Sequence, residues 1–201
     1  MKRISATNTY MRMETSSGRV VTTYEKGRIQ KVDVQSKDYE KNIVSVQISL
    51  DDTQYSWESE KIYLVGYMMY GIPVSKDGRF LFAQQDMRGL YCLDAKTGDI
   101  VWKTKSRAEV AHVLVRSQHL CCSKSRNEIQ LIDIETGEVL KSYKTPFDNR
   151  FEVLTDDLIL NHTHSKSWEL ISSQTLEVVQ RIPEEELRKF FENFYRPREN
   201  G

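Results

Sequence analysis

Apolar and polar residues alternate along most of this chain, and short turn-forming clusters interrupt the alternation at regular intervals. GLYCLD at residues 89–94 leads into AKTG and then DIVWKTK. EIQLID at 128–133 leads into IETG and EVLKSYK, and SWELIS at 167–172 leads into SQTL and EVVQRI. Alternation with a period of two predicts strands, and the clusters between them predict tight returns. Gly98 and Gly137 suit a left-handed turn position, while Asp94, Asp133 or the following threonine can bond the turn backbone. The turn residues Asp94, Asp133 and Ser172 stand 39 residues apart, and FLFA, LCCS and ILNH precede them as a further set of strands.

Fixed spacing across several strands is the signature of a repeat, and a repeat of about 40 residues with four short strands has the size of a propeller blade. RIQKVDVQSKDY at 28–39 matches EIQLIDIETGEV in spacing and sets Asp33 over Asp133. That adds an N-terminal copy, separated from the next by one period and a 22-residue insertion between Lys41 and Asp77. The expected fold is all-β. It is a small four-repeat propeller, or an open propeller-like stack of four-stranded sheets, with repeats near 6–50, 62–105, 109–145 and 150–182. The pattern changes after Arg181: Leu187, Phe190, Phe191, Phe194 and Tyr195 recur at helical spacing. An amphipathic helix is therefore expected over 183–196, opened by Pro183 and closed by Pro197. Its aromatic stripe would cover the last blade, or support self-association through Phe190, Phe191 and Phe194.

With 201 residues the chain suits a single domain with one substantial core. Lys plus Arg and Asp plus Glu both number 29, which argues against the one-sided charge of a nucleic-acid or membrane-surface binder. No apolar run follows MKR, so neither a secretory signal nor a membrane span is expected and a cytoplasmic location is the natural reading. The three cysteines, Cys92, Cys121 and Cys122, then read as reduced, buried thiols. His162 and His164 share one face of a strand, but two imidazoles do not make a metal site and no metal is expected. No phosphate loop, metalloprotease motif or nucleophile–base set stands out.

LYCLDAKTGDIVWK at 90–103 and IQLIDIETGEVLKSY at 129–143 resemble the quinoprotein-type (PQQ-like) β-propeller repeat, found in pyrroloquinoline-quinone dehydrogenases and in outer-membrane assembly scaffolds. The resemblance implies that Trp102 packs between blades; Lys141 and Gln180 stand at that place in the next two copies. The enzymes of that family pair adjacent cysteines beside a quinone and calcium within about eight blades. Here Cys121 and Cys122 are adjacent, but there are four repeats and no converging acidic set. The expectation is no cofactor.

The functional expectation is a non-enzymatic, cytosolic module that binds another protein; an immunity-type inhibitor of a bacterial toxin is one form of it. The alternative is an enzyme (hydrolase, lyase or quinone-dependent) or a small-ligand sensor that uses the central funnel. The insertion carries the candidate interface: Asp51, Asp52, Tyr55, Trp57, Glu58, Glu60, Tyr67 and Tyr70. Insertions in repeat proteins map to loops on one face, and aromatics ringed by acids suit a partner surface, with Trp57 as an exposed anchor.

Overall fold

The computed structural model describes residues 11–16, 19–24, 27–38, 43–60, 72–85, 89–104, 111–114, 119–125, 127–144, 149–155, 157–163, 167–186 and 188–189. They form four antiparallel sheets in chain order. The first holds β1 (Met11–Ser16), β2 (Arg19–Tyr24), β3 (Ile29–Asp38), β4 (Ile43–Leu50) and β5 (Thr53–Glu60). The second holds β6 (Phe80–Gln85), β7 (Gly89–Asp94) and β8 (Ile100–Lys103), with Val74 bridged to Leu81 at its inner edge. The third holds β9 (Ala111–Leu114), β10 (His119–Ser125), β11 (Glu128–Asp133) and β12 (Val139–Lys144). The fourth holds β13 (Asn149–Thr155), β14 (Leu158–Thr163), β15 (Ser167–Ser172) and β16 (Val178–Pro183). The all-β, propeller-like architecture expected from the repeat is the one observed.

Three hydrophobic clusters join successive sheets. Val32, Val46, Ile48, Leu81 and Leu93 belong to the first, between sheets one and two. Phe82, Leu90, Cys92, Leu120, Cys122 and Ile132 form the second, and Cys121, Leu131, Phe151, Ile159 and Ile171 the third. The two central sheets are thus covered on both faces, so β7 and β11 are buried along most of their length, β11 with Glu128 and Gln130 included. Among the described residues no cluster joins the fourth sheet to the first. The outward face of the first sheet is instead polar: Arg19 holds the buried carboxylate of Asp33 at 2.8 and 2.6 Å, and Lys31 adds a contact at 3.1 Å.

Asp33 therefore sits in mid-strand, where Arg19 holds its carboxyl below the ordinary aspartate range. This corrects the alignment of Asp33 with the turn aspartate Asp133. The true counterpart of the repeated turn is Asp51–Asp52, a two-residue return with φ of 47° and 60°. The segment expected as an inserted acidic loop is consequently strand β5, paired along its full length with β4, and the first sheet runs on to Glu60 instead of ending at residue 50. The extra strand lies at the other edge, as β1.

Cys121 and Cys122, adjacent in β10, point to opposite faces of their sheet, one into the third cluster and one into the second. All three thiols are free and buried, and burial pushes Cys92 and Cys122 up to about 12 and raises Cys121 as well. Since the thiolate is the reactive form, a thiol reagent at pH 8 should label none of the three in the folded protein and all three in denaturant. Rapid labelling without denaturant would contradict the buried placement.

Helical backbone follows β16 directly at residues 184–186 and again at 188–189, with Lys189 3.3 Å from Glu185. Of the helix expected over 183–196, Leu187 and residues 190–196, with Phe190, Phe191 and Phe194, lie outside the described residues, and Pro183 itself ends β16.

Candidate functional site

The returns β4–β5, β7–β8, β11–β12 and β15–β16 occupy equivalent places in the four sheets. In the second sheet Asp94 accepts from the backbone N–H of Lys96 and Thr97 at 2.8 and 3.0 Å. Asp133 accepts from Glu135 and Thr136 at 2.9 and 2.8 Å, and Ser172 does the same work more loosely, at 3.3 Å to Gln174 and Thr175. These side chains are consumed by turn architecture.

A second repeated device links the sheets. The indole of Trp57 in β5 lies on the return of the next sheet, where its Nε1 donates to Ala95 O at 3.2 Å. A Cβ on Gly98 would stand 2.4 Å from that ring. The indole of Trp102 in β8 repeats the arrangement on the third sheet, donating to Ile134 O at 2.9 Å, and a Cβ on Gly137 would meet it at 2.7 Å. At the third boundary Lys141 replaces the indole, and Leu176, buried with φ of 56°, replaces the glycine. There the sheets are bound instead by Tyr143 donating to Glu169 at 2.9 Å, with Asn161 and Arg181 also on that carboxylate at 3.3 and 3.2 Å. Loss of solvation, then Glu169 itself, pushes Tyr143 up to about 12.

The expected interface residues fall into distinct groups. Trp57 is 9% exposed and belongs to the first core, so it is a packing residue and not an exposed anchor. Asp51 and Asp52 are exposed at the return; Arg28 donates to Asp51 at 2.9 Å and to Asp77 O at 3.2 Å, holding the Asp51 carboxyl below its ordinary range. Tyr55 is half-buried against the first core, with Lys96 5.5 Å from its ring centroid. Glu58, on the opposite part of β5, pairs with Lys37. Glu60 ends β5, and its side chain lies outside the described residues, as do Tyr67 and Tyr70. The structure gathers Asp51, Asp52 and Tyr55 with Arg28, Asp77 and Lys96 on one charged rim. Of the described members, Trp57 and Glu58 stand apart from that rim. Along the same rim Arg79 joins Asp77 at 2.6 Å and reaches across to Glu135 of the third sheet.

Beside that rim lies a feature absent from the sequence expectations. Each of β8, β12 and β16 is an outer-edge strand, and each carries a β-bulge that skips Val101, Leu140 or Val179. These three are 45%, 45% and 63% exposed, and their neighbours Ile100 and Val139 are 52% and 47% exposed. They are the exposed large hydrophobics among the described residues. The signal was present in the sequence as DIVWK, EVLKS and EVVQR, but aliphatics in a strand read as core until the register is known. Bulges and Lys103, Lys141, Lys144 and Arg181 discourage backbone pairing at these edges, while the aliphatic side chains remain open to contact.

Among the described residues no group of three or more potential ligands is placed to hold a metal, and no helix is long and apolar enough to cross a membrane. His162 is packed 4.4 Å from the ring of Trp168; His164 lies outside the described residues.

No curated protein matches the sequence. BamB from Moraxella catarrhalis matches in structure with a TM-score of 0.51 at 15% identity, over 86% of this chain and 48% of that one. Dihydro-heme d1 dehydrogenase NirN in complex with DHE matches with 0.59 at 14% identity, over 90% and 45%. Apo AztD from Citrobacter koseri matches with 0.52 at 10% identity, over 87% and 59%. The chain thus spans about half the length of these proteins, and the likeness is one of fold. The model of the family described as outer membrane protein assembly factor BamB matches residues 41–165, more than half of the sequence, so the chain with its indole-on-glycine blades belongs to that PQQ-like propeller family.

Proposed function

We propose that the protein is a non-enzymatic protein-binding module that receives its partner on the outer strands β8, β12 and β16. The observation that carries this reading is the concentration of exposed aliphatics at one repeated register, Ile100 and Val101, Val139 and Leu140, and Val179. Single exposed aliphatics need no explanation, whereas a set at the same place on three successive sheets suits contact with another surface. The adjoining rim, with Arg28, Asp51, Lys96 and Glu135, supplies mixed charge that would orient the approach without adding much affinity. Outer membrane protein assembly, the role in the family's description, is one use of a binding scaffold; inhibition of a toxin in the cytoplasm is another that the same surface would suit.

The variant Val101→Glu/Leu140→Glu/Val179→Glu tests the reading. Exposed substitutions of this kind should each change stability by only about 0.5 kcal/mol. Photo-crosslinking from position 140 in the native host should capture a protein, and purification through the triple variant should lose that protein. Retention of the crosslinked protein by a folded triple variant would refute the outer-strand site. Turnover of a substrate that survives the triple substitution would favour the enzymatic alternative.

A further inference from the structure

The outer strands carry a charge order as well as exposed aliphatics. Each is preceded at its return by an exposed acid, Asp99, Glu138 or Glu177. Two aliphatics follow in each case, Ile100–Val101, Val139–Leu140 and Val178–Val179, all exposed except the partly buried Val178. Exposed basic residues come next: Lys103 in β8, Lys141 and Lys144 in β12, and Arg181 in β16, with Trp102, Ser142 and Gln180 beside them. Arg181 is held by Glu169 at 3.2 Å, and Asp99 accepts from Thr97 Oγ1 at 2.8 Å. Among the described residues Glu138, Glu177, Lys103, Lys141 and Lys144 enter no ion pair. The first sheet breaks the order: Tyr55, Ser56, Trp57 and Glu58 hold the matching places in β5, and Glu58 is paired with Lys37. The ordered band therefore runs over the second, third and fourth sheets.

We propose that the partner received on these strands is a second copy of the chain, seated across a two-fold axis that runs perpendicular to the outer strands. Such an axis reverses the strand direction of one copy against the other. The acid margin of each copy then lies on the basic margin of the other, and the aliphatics meet between them. Centred between Val139 and Leu140, the axis sets Glu138 of each copy against Lys141 of the other. Acid and first base stand about 10–13 Å apart along a strand, which leaves room for the aliphatic pair between the charged margins. A partner of one charge sign would meet its own sign along one margin and be disfavoured there. A partner that suits both margins needs base, aliphatic and acid in turn, which is this chain's own order reversed. The bulges in β8, β12 and β16 discourage two antiparallel edges from joining as one sheet, so the contact is made through side chains.

The test uses the full chain as wild type and as two exposed single variants, Glu138→Lys and Lys141→Glu. Sedimentation equilibrium should show the wild type forming dimers. Either variant alone should dimerise roughly tenfold more weakly, because the axis repeats each substitution as two like-charge contacts. Mixing the two variants should restore the wild-type affinity, since the exchanged charges then face each other; a damaged fold would not be rescued in this way. A wild type still monomeric at about 0.1 mM, where an interface of micromolar affinity is filled, would overturn the proposal. So would a mixture that associates no better than either variant alone. Dimerisation here rests on the outer-strand site proposed above, and crosslinking from position 140 separates the two. An adduct of two identical chains supports both, whereas an adduct with a different protein overturns the second copy as partner and leaves the site in place.

Discussion

Trp57→Ala should cost the folded protein about 3–5 kcal/mol, the range for emptying a large aromatic site. The side chain is 9% exposed and sits between the first two sheets. Its bond to Ala95 O accounts for only about 1 kcal/mol of the expected loss. The larger part is the void beneath the indole, because Gly98 has no side chain with which to fill it. For a chain of this length the loss corresponds to a fall in Tm of roughly 10 °C. Denaturant unfolding followed by circular dichroism measures it. A loss below about 1 kcal/mol, typical of exposed positions, would show that the residue is not a packing element.

The second expected result concerns the boundary where the pairing of indole and glycine is exchanged for lysine and leucine. Leu176→Gly alone should destabilise by about 2 kcal/mol, the lost burial outweighing about 1 kcal/mol recovered at a left-handed backbone position. Lys141→Trp alone should gain nothing, since the side chain of Leu176 occupies the seat an indole would need. Together they rebuild the arrangement seen at Trp102 and Gly137. A double-mutant cycle should therefore show favourable coupling of about 2 kcal/mol. Strict additivity would mean that the indole at the other two boundaries owes nothing to the glycine beneath it.

The period of 39 and the repeated returns made three of the four sheets legible, because each return carries its own side-chain bonds. The first sheet was misread for a physical reason. Asp33 shares the spacing of Asp133, but Arg19 and Lys31 neutralise it within a strand, and no sequence rule distinguishes a turn aspartate from a paired one. The actual return, Asp51–Asp52, has neither the threonine nor the glycine of its counterparts. The better guide was tryptophan: SWE in β5 and VWK in β8 hold the same place in successive sheets. Reading Trp57 as an exposed anchor followed from the misplaced return. The outer-strand aliphatics were hidden differently, since bulges decide which way Val101, Leu140 and Val179 point and a bulge leaves no reliable mark in composition.

The indole of one sheet resting on the glycine of the next makes each boundary directional, with one side giving and the other receiving. A unit that both gives and receives can be copied in tandem. Duplication of the 39-residue stretch that supplies Gly98 and Trp102 would leave matched partners on both sides of the new copy, and the array could lengthen in one genetic step. The same event at the last boundary would repeat a unit that receives with Leu176 and gives with Gln180, which seats no indole. Tandem duplication that keeps the indole-on-glycine contact is thus open to the second sheet and not to the fourth.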